Sequence, residues 1–155
     1  MLTKAPEGCE LHIKAFGELT TSELYALLHT RSEVFIVEQG CVYQDLDYHD
    51  QTATHLWLTH SGQIVAMCRV CPAGTKMTEA SIGRVIATQR GKGYGKAIVQ
   101  AAIVTAKRLW PGLKCIDIES QADKRKFYES FGFKATSEPF MMEGLMHQEM
   151  RLDMY

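Results

Sequence analysis

The 155-residue sequence predicts one mixed α/β domain, a mostly antiparallel central sheet with a single parallel β-α-β crossover, flanked by helices. Three observations predict it. The apolar run Ala80–Thr88 ends in the glycine-rich stretch Gln89–Lys96 and turns at once into a helical pattern. The alternating run Lys114–Glu119 follows that helix, which completes one crossover. The other strand-like segments are joined by short turn signals, as antiparallel neighbours are, and the chain lacks the further crossovers of a doubly wound sheet.

Composition bounds the partners. A length of 155 suits a single domain spanning residues 1–155, and 46% apolar with 23% charged residues is ordinary for a soluble protein. A net charge of −1 gives no electrostatic case for a nucleic-acid partner. No apolar run reaches the length of a membrane span, and the start Met1–Pro6 lacks a signal-like core. Five cysteines, an odd number, fit reduced thiols, so a cytoplasmic location is expected.

The elements follow in order. Cys9–Phe16 alternates as a first strand. Thr20 and Glu23 form a capping box ahead of a helix whose stripe is Leu24, Leu27, Leu28, Arg31 and Phe35, stopping near Gly40. Cys41–Thr52 is polar and turn-rich, hence a loop. His55–His60 and Gln63–Cys71 are strands joined by a Ser61-Gly62 hairpin turn, and Pro72–Thr78 is a second loop. After the central strand, the helix Ala97–Trp110 carries Ile98, Ala101, Ala102, Thr105 and Leu109 on one stripe and ends at Pro111-Gly112. Ala122–Phe131 is a short helix with Gly132 as its natural stop. Phe133–Phe140 and Leu145–Met154 finish the chain as strands, the last with Met146, Gln148, Met150, Leu152 and Met154 on its inner side.

The glycine-rich stretch carries the chemistry. Amides at a helix start are partially positive, and glycine lets an anion approach them closely. Arg90, Lys92 and Lys96 add cations beside Gly91, Gly93, Tyr94 and Gly95, so the local physics describes a phosphate cradle. A Walker A loop needs wider glycine spacing and a Ser or Thr after the lysine, where this chain has Ala97. A dinucleotide fingerprint needs its third glycine one residue later. The pattern that fits, Arg90-x-x-Gly93-x-Gly95, resembles the coenzyme-A pyrophosphate loop of the GNAT superfamily of N-acetyltransferases. In that fold the central and following strands splay and coenzyme A wedges between them, and the element order here matches it. Phe127-Tyr128-Glu129-Ser130-Phe131-Gly132-Phe133 resembles the superfamily's F-Y-x-x-x-G-F signature. Arg31 to Gln39 (R-x-x-V-F-x-V-E-Q) and Tyr43 to Asp47 (Y-Q-D-x-D) resemble the ElaA-type subfamily.

The resemblance implies direct transfer of an acetyl group from acetyl-CoA, a cosubstrate, to an amine, without a metal. It assigns polarisation of the thioester carbonyl to a backbone amide of Val85, Ile86 or Ala87, whose side chains are expected to be core. It assigns protonation of the leaving thiolate to Tyr128. The base that deprotonates the amine is expected to be Glu38, with Glu119 and His147 as alternatives, and Gln121 is expected near the cofactor. The link from Ala87 to Arg90 is shorter than in many relatives, which leaves the choice among the three strand amides open. Two rival readings stand beside this one: a non-catalytic CoA-thioester sensor and a nucleotide-binding oxidoreductase fragment. An exposed edge strand leaves pairing into a homodimer open.

Other signals are weaker. Cys68-x-x-Cys71 lacks a second pair and, in a strand, its thiols point to opposite faces, against zinc or a redox pair. Asp45, Asp47, His49 and Asp50 lack a calcium-loop pattern and are expected to form a solvated loop, whose charge would attract a cationic amine. His12, His29 and His60 are expected on the surface. A serine-triad elbow is missing.

Overall fold

The computed structural model describes residues 4–155. Residues 1–3, part of the start that lacks a signal-like core, lie outside the described residues. The strands are β1 (Cys9–Ala15), β2 (Thr54–His60), β3 (Gln63–Cys71), β4 (Ser81–Ala87), β5 (Cys115–Gln121), β6 (Lys134–Ala135), β7 (Phe140–Met142) and β8 (Leu145–Asp153). They form one sheet in the order β1-β2-β3-β4-β5-β8-β6, with β7 also paired to β8. Among the described strands, only β4 and β5 run parallel. The helices are α1 (Thr21–Arg31), α2 (Tyr94–Leu109) and α3 (Arg125–Glu129). No described helix is long and apolar enough to cross a membrane.

Local signals explain most boundaries. Thr20 accepts from the Glu23 amide at 3.0 Å while Glu23 accepts from the Thr20 amide at 2.9 Å, so the capping box forms. Ser61 and Gly62 both take positive φ, as a two-residue hairpin turn requires, and Glu143 and Gly144 do the same between β7 and β8. The core is built on both faces of the sheet. On one face, Ile98, Ala101, Ala102 and Ala106 of α2 pack against Leu56, Ala66, Cys68 and Ile116. On the other, a smaller cluster joins Leu27 of α1 to Trp57, Met67 and Ile86.

Five expectations need correction. The first helix does not run to Gln39 as one α-helix. After Arg31 it widens into a π-helical segment, Ser32–Glu38, whose closing bond runs from the Gln39 amide to Val34 O, five residues back, at 3.1 Å. Leu109 is 45% exposed, because α2 ends there and the Trp110 backbone leaves the helical region. The strand expected over Phe133–Phe140 is broken between β6 and β7. There Pro139 has no amide to donate. Ser137 bonds β8 instead, its hydroxyl accepting from the Glu149 amide and its carbonyl from Gln148 Nε2. On the inner side of β8, Met150 and Gln148 are buried but Met146 is 44% exposed. His12, expected on the surface, is half-buried: it stacks on Trp57 at 4.9 Å and bonds the Thr59 hydroxyl.

Candidate active site

The parallel pair is where the sheet opens. β4 and β5 share one register partnership, Ser81 with Asp117, at their N-terminal ends, and the Asp117 amide donates to Ala80 O. β5 is zipped to β8 over all seven of its residues, Cys115–Gln121, whereas past Asp117 its other edge makes no further pair with β4. The result is a cleft of about 700 Å³ running between the two strands and along one face of the sheet.

Backbone phase decides what β4 presents to the cleft. Thr88 donates to Val65 O at 2.9 Å, and Ala66 lies opposite Ala87 in the same register. Amides alternate sides along a strand, so the Ala87 amide faces away from β3, toward the edge that β5 has left. Ile86 packs in the core, whereas Val85 is half-buried and the Ala87 side chain exposed, so only Ile86 is the buried core residue expected. Upstream, Arg84 holds φ at 52° and the β3 register slips between Met67 and Arg69, marking a bulge in β4.

The glycine stretch forms the mouth of the cleft. Gly91 (φ 82°) and Gly93 (φ 78°) take left-handed conformations, and a Cβ built on either would meet nothing within 4 Å. The space before these amides is therefore open. Gly93 caps α2 without a side-chain bond, so the first amides of the helix lack partners and carry the positive end of its dipole. Gly95 serves packing instead: a Cβ there would sit 3.4 Å from Ala87 Cβ and 3.5 Å from the Phe127 ring. Of the residues expected around the cofactor, Val85, Ile86, Ala87, Arg90, Gly91, Gly93, Tyr94, Gly95, Lys96 and Gln121 all line the cleft, and Lys92 does not.

Tyr128 also lines the cleft, although its side chain is held in the core by edge-on contacts with Phe127 and Phe133. It does not stack on Phe131, which packs against Phe127. Burial pushes the Tyr128 hydroxyl well above the ordinary phenol value, with Cys68 nearby adding to it. It thus keeps its proton at neutral pH. Glu38 is exposed and outside the cleft lining, which takes Val34 and Phe35 from the same π-helical segment and Gln39 from its C-cap. Glu119 and His147 do line it. His147 Nδ1 lies 2.9 Å from Leu145 O, and a carbonyl only accepts, so Nδ1 carries a proton and Nε2 is the acceptor of the neutral tautomer. Gln121 donates to the Gln39 side chain at 3.2 Å, bridging the end of β5 to the π-helical segment.

The acidic loop is the largest departure from expectation. Asp45 and Asp50 are buried rather than solvated. Arg31 donates from Nε to Asp45 at 3.0 Å and from Nη1 to Asp50 at 2.7 Å, and Arg69 reaches Asp50 at 2.9 Å and Asp47 at 2.6 Å. Arg84 lies 2.8 Å from Asp45 and 3.3 Å from Asp47, and Lys76 is 3.6 Å from Asp47. Burial pushes Asp47 and Asp50 toward the protonated form, but bonds and charge from Arg69 and Arg31 outweigh it, and both carboxyls titrate below their ordinary range. Asp47 lines the cleft with its charge already answered by three cations, so it offers little steering for a cationic amine. The signal for this cluster was present in the sequence: Arg31 sits at a core position of an otherwise apolar helical stripe. Tyr43, whose hydroxyl bonds Asp45 at 3.1 Å, is pushed up to about 12 chiefly by burial. Cys68 packs in the core and Cys71 lines the cleft, on opposite faces of β3 as the strand phase requires. Among the described residues, no group of three or more His, Cys, Asp or Glu is placed to hold a metal ion.

Residues 17–154 match the acetyltransferase (GNAT) domain. The chain belongs to the GNAT acetyltransferase family. Within that family it is ElaA-like: it is 36% identical to Protein ElaA of Escherichia coli K12 over 135 residues, 84% of this chain and 88% of ElaA. The crystal structure of Escherichia coli ElaA superposes with a TM-score of 0.87 at 33% identity, covering 94% of this chain and 99% of that one. An acyl-CoA N-acyltransferase from Pseudomonas aeruginosa gives a TM-score of 0.86 at 34% identity, covering 93% and 99%. A GNAT fold implies binding of a CoA thioester, and the family is one of acyl-CoA N-acyltransferases.

Proposed function

We propose that this protein is an N-acetyltransferase that moves the acetyl group of acetyl-CoA directly to an amine acceptor. The observation that carries the proposal is the wedge between β4 and β5, with the glycine cradle at its mouth and Tyr128 in its wall. Acetyl-CoA, as cosubstrate, supplies the acyl thioester and a pyrophosphate. The cradle suits the pyrophosphate: Gly91 and Gly93 leave open space before uncapped helix amides, with Arg90 and Lys96 beside them.

Each remaining task falls to a residue of the cleft. The Ala87 amide faces the parted edge and is our choice of donor to the thioester oxygen, where charge develops during attack. The amine forms the C–N bond as the C–S bond breaks. Its proton goes to a base, for which His147 Nε2 and Glu119, both in the cleft wall, are better placed than Glu38, which lies outside it. The thiolate takes a proton from the Tyr128 hydroxyl, which burial keeps protonated. We place the protein in a reducing, cytoplasmic setting, on the strength of its odd number of cysteines.

Thermal unfolding with acetyl-CoA, CoA and NAD side by side tests the reading. A ligand at 100-fold over its Kd stabilises by about 2.7 kcal/mol. Stabilisation by acetyl-CoA and CoA, followed by thiol release with an amine, is the expected result. Stabilisation by NAD alone would overturn it, and binding without turnover on any amine would leave a thioester sensor.

A further inference from the structure

We propose that Arg84 is a positioning residue that ties the loop 41–50 to the bulged strand β4 and thereby holds the carbonyl-polarising amides in place. The inference rests on the acyltransferase reading above.

Arg84 is strained and clamped at once. A non-glycine residue at φ 52° within a strand is strained and persists only when its surroundings enforce it. The register slip beside it shows what the strain achieves: one extra residue bends β4 just before Val85, Ile86 and Ala87. The side chain supplies the enforcement. Its Nη2 donates to Asp45 O at 2.9 Å and lies 3.3 Å from Asp47 Oδ2, while Nε is 2.8 Å from Asp45 Oδ1, off the N–H axis. The guanidinium also lies over the Tyr43 ring, 5.6 Å from its centre.

The clamp is itself immobile. Asp45 and Asp47 are held by Arg31 and Arg69, whose side chains are 1% and 2% exposed. Tyr43, Gln44 and Asp47 line the cleft on the same loop, with Tyr43 and Asp47 against Arg84. Whatever occupies that part of the cleft therefore touches the residues that hold Arg84, and Arg84 lies one residue from Val85 and three from Ala87. Occupancy by the acceptor is passed to the thioester oxygen through one side chain. Lysine cannot reproduce this, since it lacks the planar fork that spans a carbonyl and a second carboxylate.

Two variants separate the backbone from the side chain. Arg84→Gly accepts φ 52° without strain and removes the guanidinium, whereas Arg84→Lys keeps the charge without the fork. The first readout is the ¹³C shift of the acetyl carbonyl of labelled acetyl-CoA on binding, which reports polarisation. The second is CoA affinity by calorimetry, which reports the cradle. The third is the split between kcat and KM. Arg84→Gly is expected to bind CoA within about twofold of wild type, lose more than half of the carbonyl shift, and lower kcat by about 10²-fold with KM for acetyl-CoA unchanged. Arg84→Lys is expected to fall between the two. A full wild-type carbonyl shift in Arg84→Gly would overturn the proposal. If that variant does not fold, a full shift in Arg84→Lys would overturn it equally. Failure of the wild-type protein to bind CoA would instead remove the acyltransferase reading itself.

Discussion

Arg31 and Arg69, from a helix and from a strand, place guanidinium nitrogens 2.7 and 2.9 Å from the same oxygen of Asp50. One buried carboxylate thus serves two buried arginines and fixes the end of the loop that walls the cleft. Replacing one partner of such a cluster leaves charge stranded in low dielectric. Asp50→Asn is expected to destabilise the fold by about 3–5 kcal/mol, measured by urea unfolding at pH 7. Loss below 1 kcal/mol would mean that water reaches the two arginines after all.

His55 sets the response to mild acid. It is 2% exposed, its Nε2 lies 2.9 Å from Asp50 O, and burial holds its imidazole below the ordinary histidine value. The ring is neutral in the fold, while the unfolded chain takes up a proton below about pH 6.5. Its contribution to stability is therefore complete above that pH and declines as pH falls toward the lower folded value. The carboxylates Asp47 and Asp50, also depressed, add their own loss only below about pH 4. Unfolding free energies between pH 8 and 5 are expected to fall in wild type and to stay flatter in His55→Gln. Equal slopes in the two proteins would assign the titration to another group.

Tyr128→Phe removes the proposed acid and little else. The ring keeps its edge contacts with Phe127 and Phe133, so the fold and acetyl-CoA affinity are expected to hold. Turnover is expected to drop by about 10²-fold or more, the usual scale of a lost general acid. Unchanged kcat would take Tyr128 out of the mechanism.

Gly93→Ala tests the cradle through the backbone alone. A methyl group there meets no neighbour within 4 Å, yet φ is 78°. Holding alanine in that region costs roughly 1–2 kcal/mol. Relief of the strain would turn the first helix amides away from the ligand. CoA affinity is expected to weaken about tenfold while the core unfolds nearly as before, and Gly93→Asn is expected to recover part of the loss. Calorimetric titration of both variants with CoA decides it.

The chain's local signals were enough for most of its elements, its one crossover and the glycine turn that opens α2. Capping boxes, two-residue turns and a strand running through glycines into a helix all act over fewer than ten residues, so periodicity and residue type report them directly. The cleft residues of the glycine stretch were legible for the same reason, and the F-Y-x-x-x-G-F signature brought Tyr128 with them. Other features depend on partners far away in the chain. Asp45 and Asp50 look like solvated loop residues until Arg31 and Arg69, bonded across 14 and 19 residues of chain, close over them. Arg31 itself sat on an apolar stripe with no local reason to be there. Which of the Val85, Ile86 and Ala87 amides faces the parted edge depended on strand register, and register is set by β3 and by a bulge at Arg84, whose side chain bonds another loop. Backbone preferences are local, whereas burial of charge and the facing of an amide are settled only when distant segments pack, and these are what the tertiary structure decided.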